Sequence, residues 1–236
     1  PYLPDDTLHT LEALPGIMRR RMLEGEWCNN EGTVYPMFDP DVHCFDEMPP
    51  GFKGWPRYRA IDFGFTNPFC CLWGAVDGDG RLWVYRELYR SQCLVPEMAA
   101  IIREVEPGYF YTVADQESPE GRQELAAAGI DTLEAEKAVT VGIQAVQLRL
   151  TKAGDGRPRL FIHSGCVNTI SEFFEYRWAE TKEGRNADEK PVKDNDHAMD
   201  ALRYMVRAVD NPPVYAAEAA IEKSRGDRAS DYAKYF

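Results

Sequence analysis

The sequence predicts an α/β fold with a mixed five-stranded or larger β-sheet and helices on both faces. Three strand patterns come first in the chain, at residues 58–63, 69–76 and 81–88. Two further strand patterns, at residues 109–114 and 160–163, alternate with helical patterns. Strands joined by short turns pair antiparallel and strands joined through helices favour parallel pairing, so both kinds are expected in one sheet.

Helical patterns and capping residues place helices between the later strands. Helices are predicted at residues 95–105, 139–150 and 169–178. Ser118 and Pro119 fit the first positions of another helix, and Gly129 is expected to end it. A short strand is predicted at residues 130–133.

The composition predicts a globular protein without a membrane partner. Of the 236 residues, 44% are hydrophobic and 12% aromatic, which is enough to build a core. No run approaches the ~18 apolar residues that a membrane span needs, and no charged-then-apolar leader opens the chain. The six cysteines form no CxxC pair, so we expect reduced thiols in a cytosolic protein.

The net charge of −12 argues against a protein that binds nucleic acid, because affinity for phosphate comes mainly from Lys and Arg. Two features soften this objection. Acidic metal sites need carboxylates, and basic residues occur in local groups, as at residues 19–21 and 152–159.

Three segments are predicted along the chain. Residues 1–55 are expected to form an irregular N-terminal connector with one short helix at residues 14–24. Residues 56–210 are expected to form the folded domain. Residues 211–236 form a polar C-terminal tail, for which disorder is the first interpretation and binding of a partner the alternative.

The last helix carries charged residues in the run Asp194-Asn195-Asp196-His197-Ala198-Met199-Asp200. A buried stripe is predicted from four apolar residues at helical spacing, which are Met199, Leu202, Val206 and Val209. Asp196, His197 and Asp200 cluster away from that stripe. Like charges one turn apart repel each other, so a purely structural helix has little reason to keep them. A solvated helix face remains the alternative.

Two more Asp residues stand where strands are expected to end. Asp62 ends the first strand, and Gly64 after it permits a sharp turn. Asp115 follows the strand at residues 109–114. Functional groups collect at the carboxyl ends of parallel strands, so the two carboxylates lie side by side if these strands are parallel neighbours. Taken alone, each Asp also fits a turn or a helix cap.

Three carboxylates in one place, from Asp62, Asp115 and Asp200, would repel one another unless divalent cations neutralised them. Oxygen ligands suit hard cations such as Mg²⁺ or Mn²⁺. Two such ions about 4 Å apart activate a water and stabilise the leaving oxygen of a phosphodiester. The predicted chemistry is therefore metal-dependent hydrolysis of a phosphodiester.

Three motifs resemble those of the nuclease domain of phage large terminase subunits. They are Ile61-Asp62-Phe63-Gly64 with Asn67-Pro68, Ala114-Asp115, and the run from Asp196 to Tyr204. The resemblance implies a ribonuclease H-like fold and a two-metal endonuclease that cleaves concatemeric viral double-stranded DNA during genome packaging, in the cytoplasm of the infected host cell. The partners that it implies are the DNA, the terminase ATPase domain, the small terminase subunit and the portal.

The resemblance also implies roles for individual side chains. Asp62, Asp115 and Asp200 correspond to metal ligands, and Asp196 and His197 to auxiliary residues that add a ligand or handle a proton. A plain solvated side chain is the alternative for His197. The candidates for DNA contacts are Lys137, Lys152 and Lys193. An ordinary surface lysine is the alternative for Lys137, and Lys152 is expected on a small hairpin around Gly154-Asp155-Gly156.

One departure from that family is large. No GxxxxGK[ST] sequence occurs in the chain, so we expect it neither to bind nor to hydrolyse ATP. Two alternatives stay open at the level of the sequence. The first is another ribonuclease H-like nuclease, such as a junction resolvase or a transposase core, and the second is a non-catalytic docking module whose Asp cluster binds a structural cation.

Overall fold

One mixed sheet of seven strands organises the protein. The computed structural model describes residues 32–106, 108, 110–179 and 190–211. Within these residues the strands are β1 (Cys44–Phe45), β2 (Arg57–Asp62), β3 (Phe69–Val76), β4 (Leu82–Arg90), β5 (Tyr111–Ala114), β6 (Leu133–Glu134) and β7 (Leu160–His163). Their order across the sheet is β1-β7-β4-β3-β2-β5-β6.

The described residues also form six α-helices. They are α1 (Pro40–His43), α2 (Val95–Val105), α3 (Pro119–Ala127), α4 (Val139–Leu150), α5 (Val167–Glu175) and α6 (His197–Asp210). A 3-10 turn at Phe52–Gly54 precedes β2. None of these helices has the length and apolar character that a membrane crossing requires.

The pairing of the strands follows from how they are connected. β2, β3 and β4 form an antiparallel meander, whereas β5 lies parallel to β2 and β7 parallel to β4. The predicted mixed sheet is confirmed. Its two smallest strands have only two residues each: β6 lies at the end of the short strand predicted for residues 130–133, and β1 falls in the predicted connector.

Helices cover both faces of the sheet, and each face has its own apolar core. α4, α5 and α6 pack on one face, and α2 and α3 pack on the other. Successive residues of β2 alternate between the two cores, with Ala60 in the first and Ile61 in the second. Because Asp62 lies two residues beyond Ala60, its side chain points to the face that α6 covers.

α6 lies directly on the sheet. Its predicted apolar stripe is buried at Met199, Leu202 and Val206, and Val209 packs at the edge of the same core. Gly74 in β3 permits this close approach, because a Cβ atom there would lie 2.6 Å from the sulfur of Met205. The helix that carries the charged motif is thus held firmly over the middle of the sheet.

Part of the predicted connector belongs to the core. Val34, Tyr35 and Phe38 are buried, and the ring of Phe38 stacks on Phe173 with 4.0 Å between the centroids. β1 extends the sheet beside β7. The prediction of an irregular linker is therefore wrong for residues 33–45, where scattered aromatic residues among turns give no periodic signal. The domain boundary near residue 55 stays a prediction.

The helix predicted at residues 169–178 begins earlier and ends earlier, as α5. Arg177 and Trp178 instead form β-bridges with Thr33 and Pro191. Tertiary pairing overrides the local helical pattern at this point. The predicted helix at 14–24 and residues 212–236 of the predicted tail lie outside the described residues.

The turn after β2 requires glycine. A Cβ atom at Gly64 would lie 2.4 Å from the carbonyl oxygen of Pro68 and 2.5 Å from that of Asn67. Both neighbours are backbone atoms, which cannot move aside as a flexible side chain can. The sharp turn predicted at Gly64 is confirmed, and it brings residues 67–68 back against the end of β2.

Glu172 of α5 fixes the start of α6. Its buried carboxylate accepts hydrogen bonds from the backbone N–H groups of Ala198 at 2.7 Å and Met199 at 3.0 Å, and the Tyr89 hydroxyl donates to it at 2.6 Å. Burial raises the pKa of Glu172 to about 7, although these three hydrogen bonds oppose the shift. One side chain thus satisfies two N–H groups that a helix N-terminus leaves free.

We expect Gly64→Ala to destabilise the protein by about 1–3 kcal/mol, because the added methyl group collides with backbone atoms. Gly78→Ala is the matched control, since a Cβ atom at Gly78 meets nothing within 4 Å. It should change the free energy of unfolding by less than about 0.5 kcal/mol. Urea denaturation of the two variants measures the difference, and equal stabilities would contradict the steric argument.

We expect Glu172→Gln to flatten the pH dependence of stability. In the folded protein the pKa of Glu172 is about 7, above the usual value of 4.5 for glutamate, so the native state holds more protons than the unfolded state in the window between these pH values. The free energy of unfolding of the wild-type protein should therefore fall as pH rises through the window. Because Gln cannot ionise, the Glu172→Gln variant should lose the part of this decrease in unfolding free energy that comes from Glu172.

Urea denaturation in metal-free buffer at several pH values measures this effect. Glu104→Gln, at an exposed position on α2, is the control and should keep the wild-type pH dependence. The same fall in stability for Glu172→Gln as for the wild-type protein would show that Glu172 does not titrate in this range.

Candidate active site

Two carboxylates stand side by side at one edge of the sheet. Asp62 ends β2 and Asp115 follows β5, and these strands are parallel neighbours with Ile61 opposite Ala114. The backbone N–H of Asp115 donates to the carbonyl oxygen of Ile61 at 3.1 Å, so the pairing continues to the end of both strands. The parallel arrangement predicted for these two strands is confirmed.

The first turn of α6 adds three more charged residues to this edge. Asp196 is the N-cap residue of the helix, His197 is its first residue, and Asp200 lies one turn further on. The backbone N–H of Asp200 donates to the carbonyl oxygen of Asp196 at 2.7 Å. The structure thus places Asp196 at the entrance to the helix and not within it, because Asn195 before it adopts a left-handed backbone with φ of 50°.

The electrostatics of Asp62 show that the carboxylates lie within reach of one another. The pKa of Asp62 is raised to about 6, chiefly by burial; the hydrogen bond with His197 opposes this shift, and the negative charges of Asp200 and Asp115 add to it. The Asp62 side chain is therefore costly to ionise in the protein by itself. Burial and the charge of Asp200 likewise raise the pKa of Asp196.

His197 is bonded to the site. Its Nδ1 atom lies 3.0 Å from Oδ2 of Asp62, and this hydrogen bond raises the pKa of the imidazole even though partial burial opposes the shift. The ring is therefore not a freely solvated side chain. It is placed to hold or release a proton next to the most buried of the three carboxylates.

The other two carboxylates also contact cationic side chains. The ammonium group of Lys137 lies 2.8 Å from Asp115 and 2.9 Å from Glu117. Asp200 is hydrogen-bonded to Arg203, which is itself almost completely buried. Among the residues that the structure describes, no three His, Cys, Asp or Glu side chains form a group that could hold a metal ion as they stand.

The donor set nevertheless fits a hard divalent cation. Asp62, Asp115 and Asp200 offer carboxylate oxygens, which suit Mg²⁺ or Mn²⁺ better than zinc. The raised pKa of Asp62 reflects burial and repulsion that a bound cation would relieve. These three residues could hold metal if Asp115 and Asp200 turned away from Lys137 and Arg203.

The three lysines predicted to contact DNA lie in different places. Lys137 is at the site but paired with Asp115 and Glu117, and these bonds raise its pKa although burial alone would lower it. Lys193 is exposed and near the site, since its charge lowers the pKa of Asp196. Both lysines therefore share the edge of the sheet where the carboxylates lie.

Lys152 is at the other end of the sheet. It lies on the turn at residues 152–159, which leads into β7, and β7 begins beside the first residue of β4. That end of the sheet is level with Arg57, five residues before Asp62, or about 16 Å away at the rise of a strand. The structure does not bring Lys152 together with the carboxylates.

Two residues that support the site were not singled out from the sequence. Arg203 follows Asp200 by three positions, a spacing at which side chains of a helix meet, so this signal was present. Glu172 lies in another helix, 26 residues before Ala198, and nothing local marks it as the partner of α6. Only the tertiary fold shows that Glu172 bonds to the start of α6.

Several solved structures have the same architecture. The large terminase from the thermophilic bacteriophage D6E aligns with a TM-score of 0.66 and 25% identity, over 88% of this chain and 52% of that one. The P22 large terminase nuclease domain aligns with a TM-score of 0.60 and 17% identity, over 77% of this chain and 98% of that one. The nuclease domain of the bacteriophage SPP1 large terminase, solved with bound Mn, aligns with a TM-score of 0.56 and 15% identity, over 72% of this chain and 97% of that one. The last two show a likeness of fold alone.

The present chain spans about half the length of the D6E protein. No curated protein sequence matches it. Residues 62–208, more than half of the chain, match the family described as the terminase RNase H-like domain, and this range begins at Asp62 and includes Asp115 and Asp200. The predicted ribonuclease H-like fold is confirmed, and the chain belongs to the family of terminase RNase H-like domains.

Proposed function

We propose that this chain is the nuclease domain of a phage large terminase and cleaves concatemeric double-stranded viral DNA during genome packaging. The observation that carries the proposal is the meeting of Asp62, Asp115 and Asp200 at one edge of the sheet. The family match supports it, since the matched residues 62–208 include all three carboxylates.

We propose Mg²⁺ or Mn²⁺ as the cofactor, with two ions in the active form. The related SPP1 domain has been solved with bound Mn, which supports a divalent cation here. When bound, such cations supply Lewis acidity for an attacking water and for the leaving oxygen of the phosphodiester. Asp62, Asp115 and Asp200 would hold them, with Asp196 as an auxiliary ligand.

The other residues of the site act on protons and on charge in this proposal. His197 holds a proton at Nδ1 beside Asp62 and can exchange it with the site. Arg203 keeps Asp200 oriented from below, because it is buried and bonded to that carboxylate. Lys193 stands exposed at the same edge and is available to a DNA phosphate.

The net charge of −12 limits how tightly this chain alone can hold DNA. We therefore propose that other parts of the packaging assembly supply most of the grip. These parts would be the terminase ATPase domain, the small terminase subunit and the portal. The assembly would act in the cytoplasm of the infected host cell. Residues 56–210 would carry the nuclease site, residues 33–45 would complete its core, and the tail would lie outside it.

We expect Asp62→Asn, Asp115→Asn and Asp200→Asn each to reduce cleavage of supercoiled plasmid in Mn²⁺ by more than about 100-fold. Even residues that only support a metal ligand cost 10–100-fold when they are replaced. Asp194→Asn is the matched control, because Asp194 is exposed beside the same helix, and it should keep wild-type activity. Gel electrophoresis with and without EDTA measures nicking and linearisation.

The same assay separates the alternatives. Metal-dependent nicking that survives all three substitutions would remove the assigned site. A strong preference for branched over linear DNA would favour a junction resolvase. The absence of cleavage in any divalent metal by a folded protein would favour a docking module.

We expect Lys137→Met to bind Mn²⁺ about fivefold more tightly than the wild-type protein. Lys137 neutralises Asp115 and must give it up to a cation, and a partly exposed ion pair of this kind is worth about 1 kcal/mol. Isothermal titration calorimetry in the absence of DNA measures the dissociation constant. Lys152→Met at the opposite end of the sheet is the control and should leave Mn²⁺ binding unchanged, whereas weaker binding by Lys137→Met would contradict the competition.

A further inference from the structure

A cleft of about 890 Å³ opens on the face of the sheet covered by α2 and α3, at the end where β2 and β5 begin. Arg59 contributes to it and pairs with Thr112 across the β2–β5 ladder. Arg59 lies three residues before Asp62, and side chains at that spacing point to opposite faces of a sheet. The cleft is thus distinct from the candidate active site. Its other lining residues include Arg103, Phe110, Ile130 and Thr132.

Arg59 is a buried cation that has no counterion in the part of the chain that the structure describes. The residue is 4% exposed, and its Nε–H group has no hydrogen-bond partner in the same part of the chain. Among the described residues, no carboxylate or carbonyl oxygen pairs with the guanidinium group. It contacts aromatic rings instead, 4.2 Å from the ring centroid of Phe110 and 5.6 Å from that of Trp73.

The carboxylate whose charge acts on Arg59 already has hydrogen-bond partners of its own. Glu106 lines the same cleft, but its carboxylate bonds to Arg57, Arg86 and Tyr85. Desolvation lowers the pKa of Arg59, and the charge of Glu106 only partly opposes this shift. A buried guanidinium normally has an anion within hydrogen-bonding distance, because its desolvation is otherwise uncompensated. The cation–π contacts replace only part of that compensation.

We propose that the cleft binds a single carboxylate group carried on an apolar body, and that Arg59 receives the carboxylate. The planar guanidinium fork matches a carboxylate in two parallel hydrogen bonds. Phe110 and Ile130 offer apolar surface to the rest of the ligand. Glu104 and Asp131 also line the cleft, and their charges disfavour polyanions such as nucleic acid or polyphosphate.

Two sources share this chemistry, a free organic acid and an acidic side chain flanked by apolar residues in a protein segment. Benzoate is the probe for the first and the capped tripeptide acetyl-Leu-Glu-Leu-amide for the second. Benzamide has the shape of benzoate without the charge, and inorganic phosphate is an anion without the apolar body. Titration of the full chain, followed by the NMR resonances of the Arg59 Nε–H and of Thr112 and Ile130, compares the four probes.

We expect benzoate or the tripeptide to saturate the site below about 20 mM, since one charge-assisted contact with a small apolar body gives millimolar affinity. The tighter of the two identifies the source. Benzamide and phosphate should bind at least about tenfold more weakly. Arg59→Met should abolish binding, whereas Arg90→Met, at an exposed position at the far end of β4, should leave it unchanged.

Thermal unfolding provides a second test that does not depend on the NMR titration. Arg59→Met removes an unpaired buried charge, so its midpoint of thermal unfolding without ligand should equal or exceed that of the wild-type protein. Benzoate should raise the midpoint of the wild-type protein and not that of the variant. Arg59→Lys keeps the charge but not the fork and should bind more weakly than the wild-type protein. Binding that persists in Arg59→Met, phosphate binding tighter than both carboxylates, or no binding of either carboxylate would overturn the proposal.

Discussion

The parallel pairing of β2 with β5 is the constraint on which the rest of the candidate site depends. Because Ile61 stands opposite Ala114, the two strands end at the same level, and the residues that follow them are neighbours. A shift of this register by one residue would turn one of the two carboxylates to the opposite face of the sheet. β3 pairs with the other side of β2, and α6 packs on both β2 and β5.

The strands and helices around the site could be predicted from the sequence, because each has a local signal. The ends of β2 and β5 follow from strand patterns that stop at Asp62 and Asp115, and α6 follows from the spacing of Met199 and Leu202. The packing of Phe38 and the bond from Glu172 could not be predicted in this way. Phe38 packs on Phe173, more than a hundred residues away in the chain, and Glu172 bonds to Ala198, 26 residues away. No local sequence pattern indicates contacts over such separations.

The charge of the site is organised in pairs. His197 contacts Asp62, Lys137 contacts Asp115 and Arg203 contacts Asp200, so each carboxylate has its own basic neighbour. This pairing lets a domain of high negative charge fold with three carboxylates at one edge. A divalent cation that binds Asp115 or Asp200 would have to displace Lys137 or Arg203, and the loss of these contacts would oppose its binding.

The bond from Glu172 to the N–H groups of Ala198 and Met199 limits how an anion can bind at the start of α6. The N-terminus of a helix is often a binding place for phosphate, because its free N–H groups and its dipole attract an anion. In this protein Ala198 and Met199 already donate to a carboxylate of the protein itself. These two N–H groups are therefore unavailable to a phosphate, and in the proposed function the recognition of a DNA phosphate at this edge relies more on cationic side chains such as Lys193.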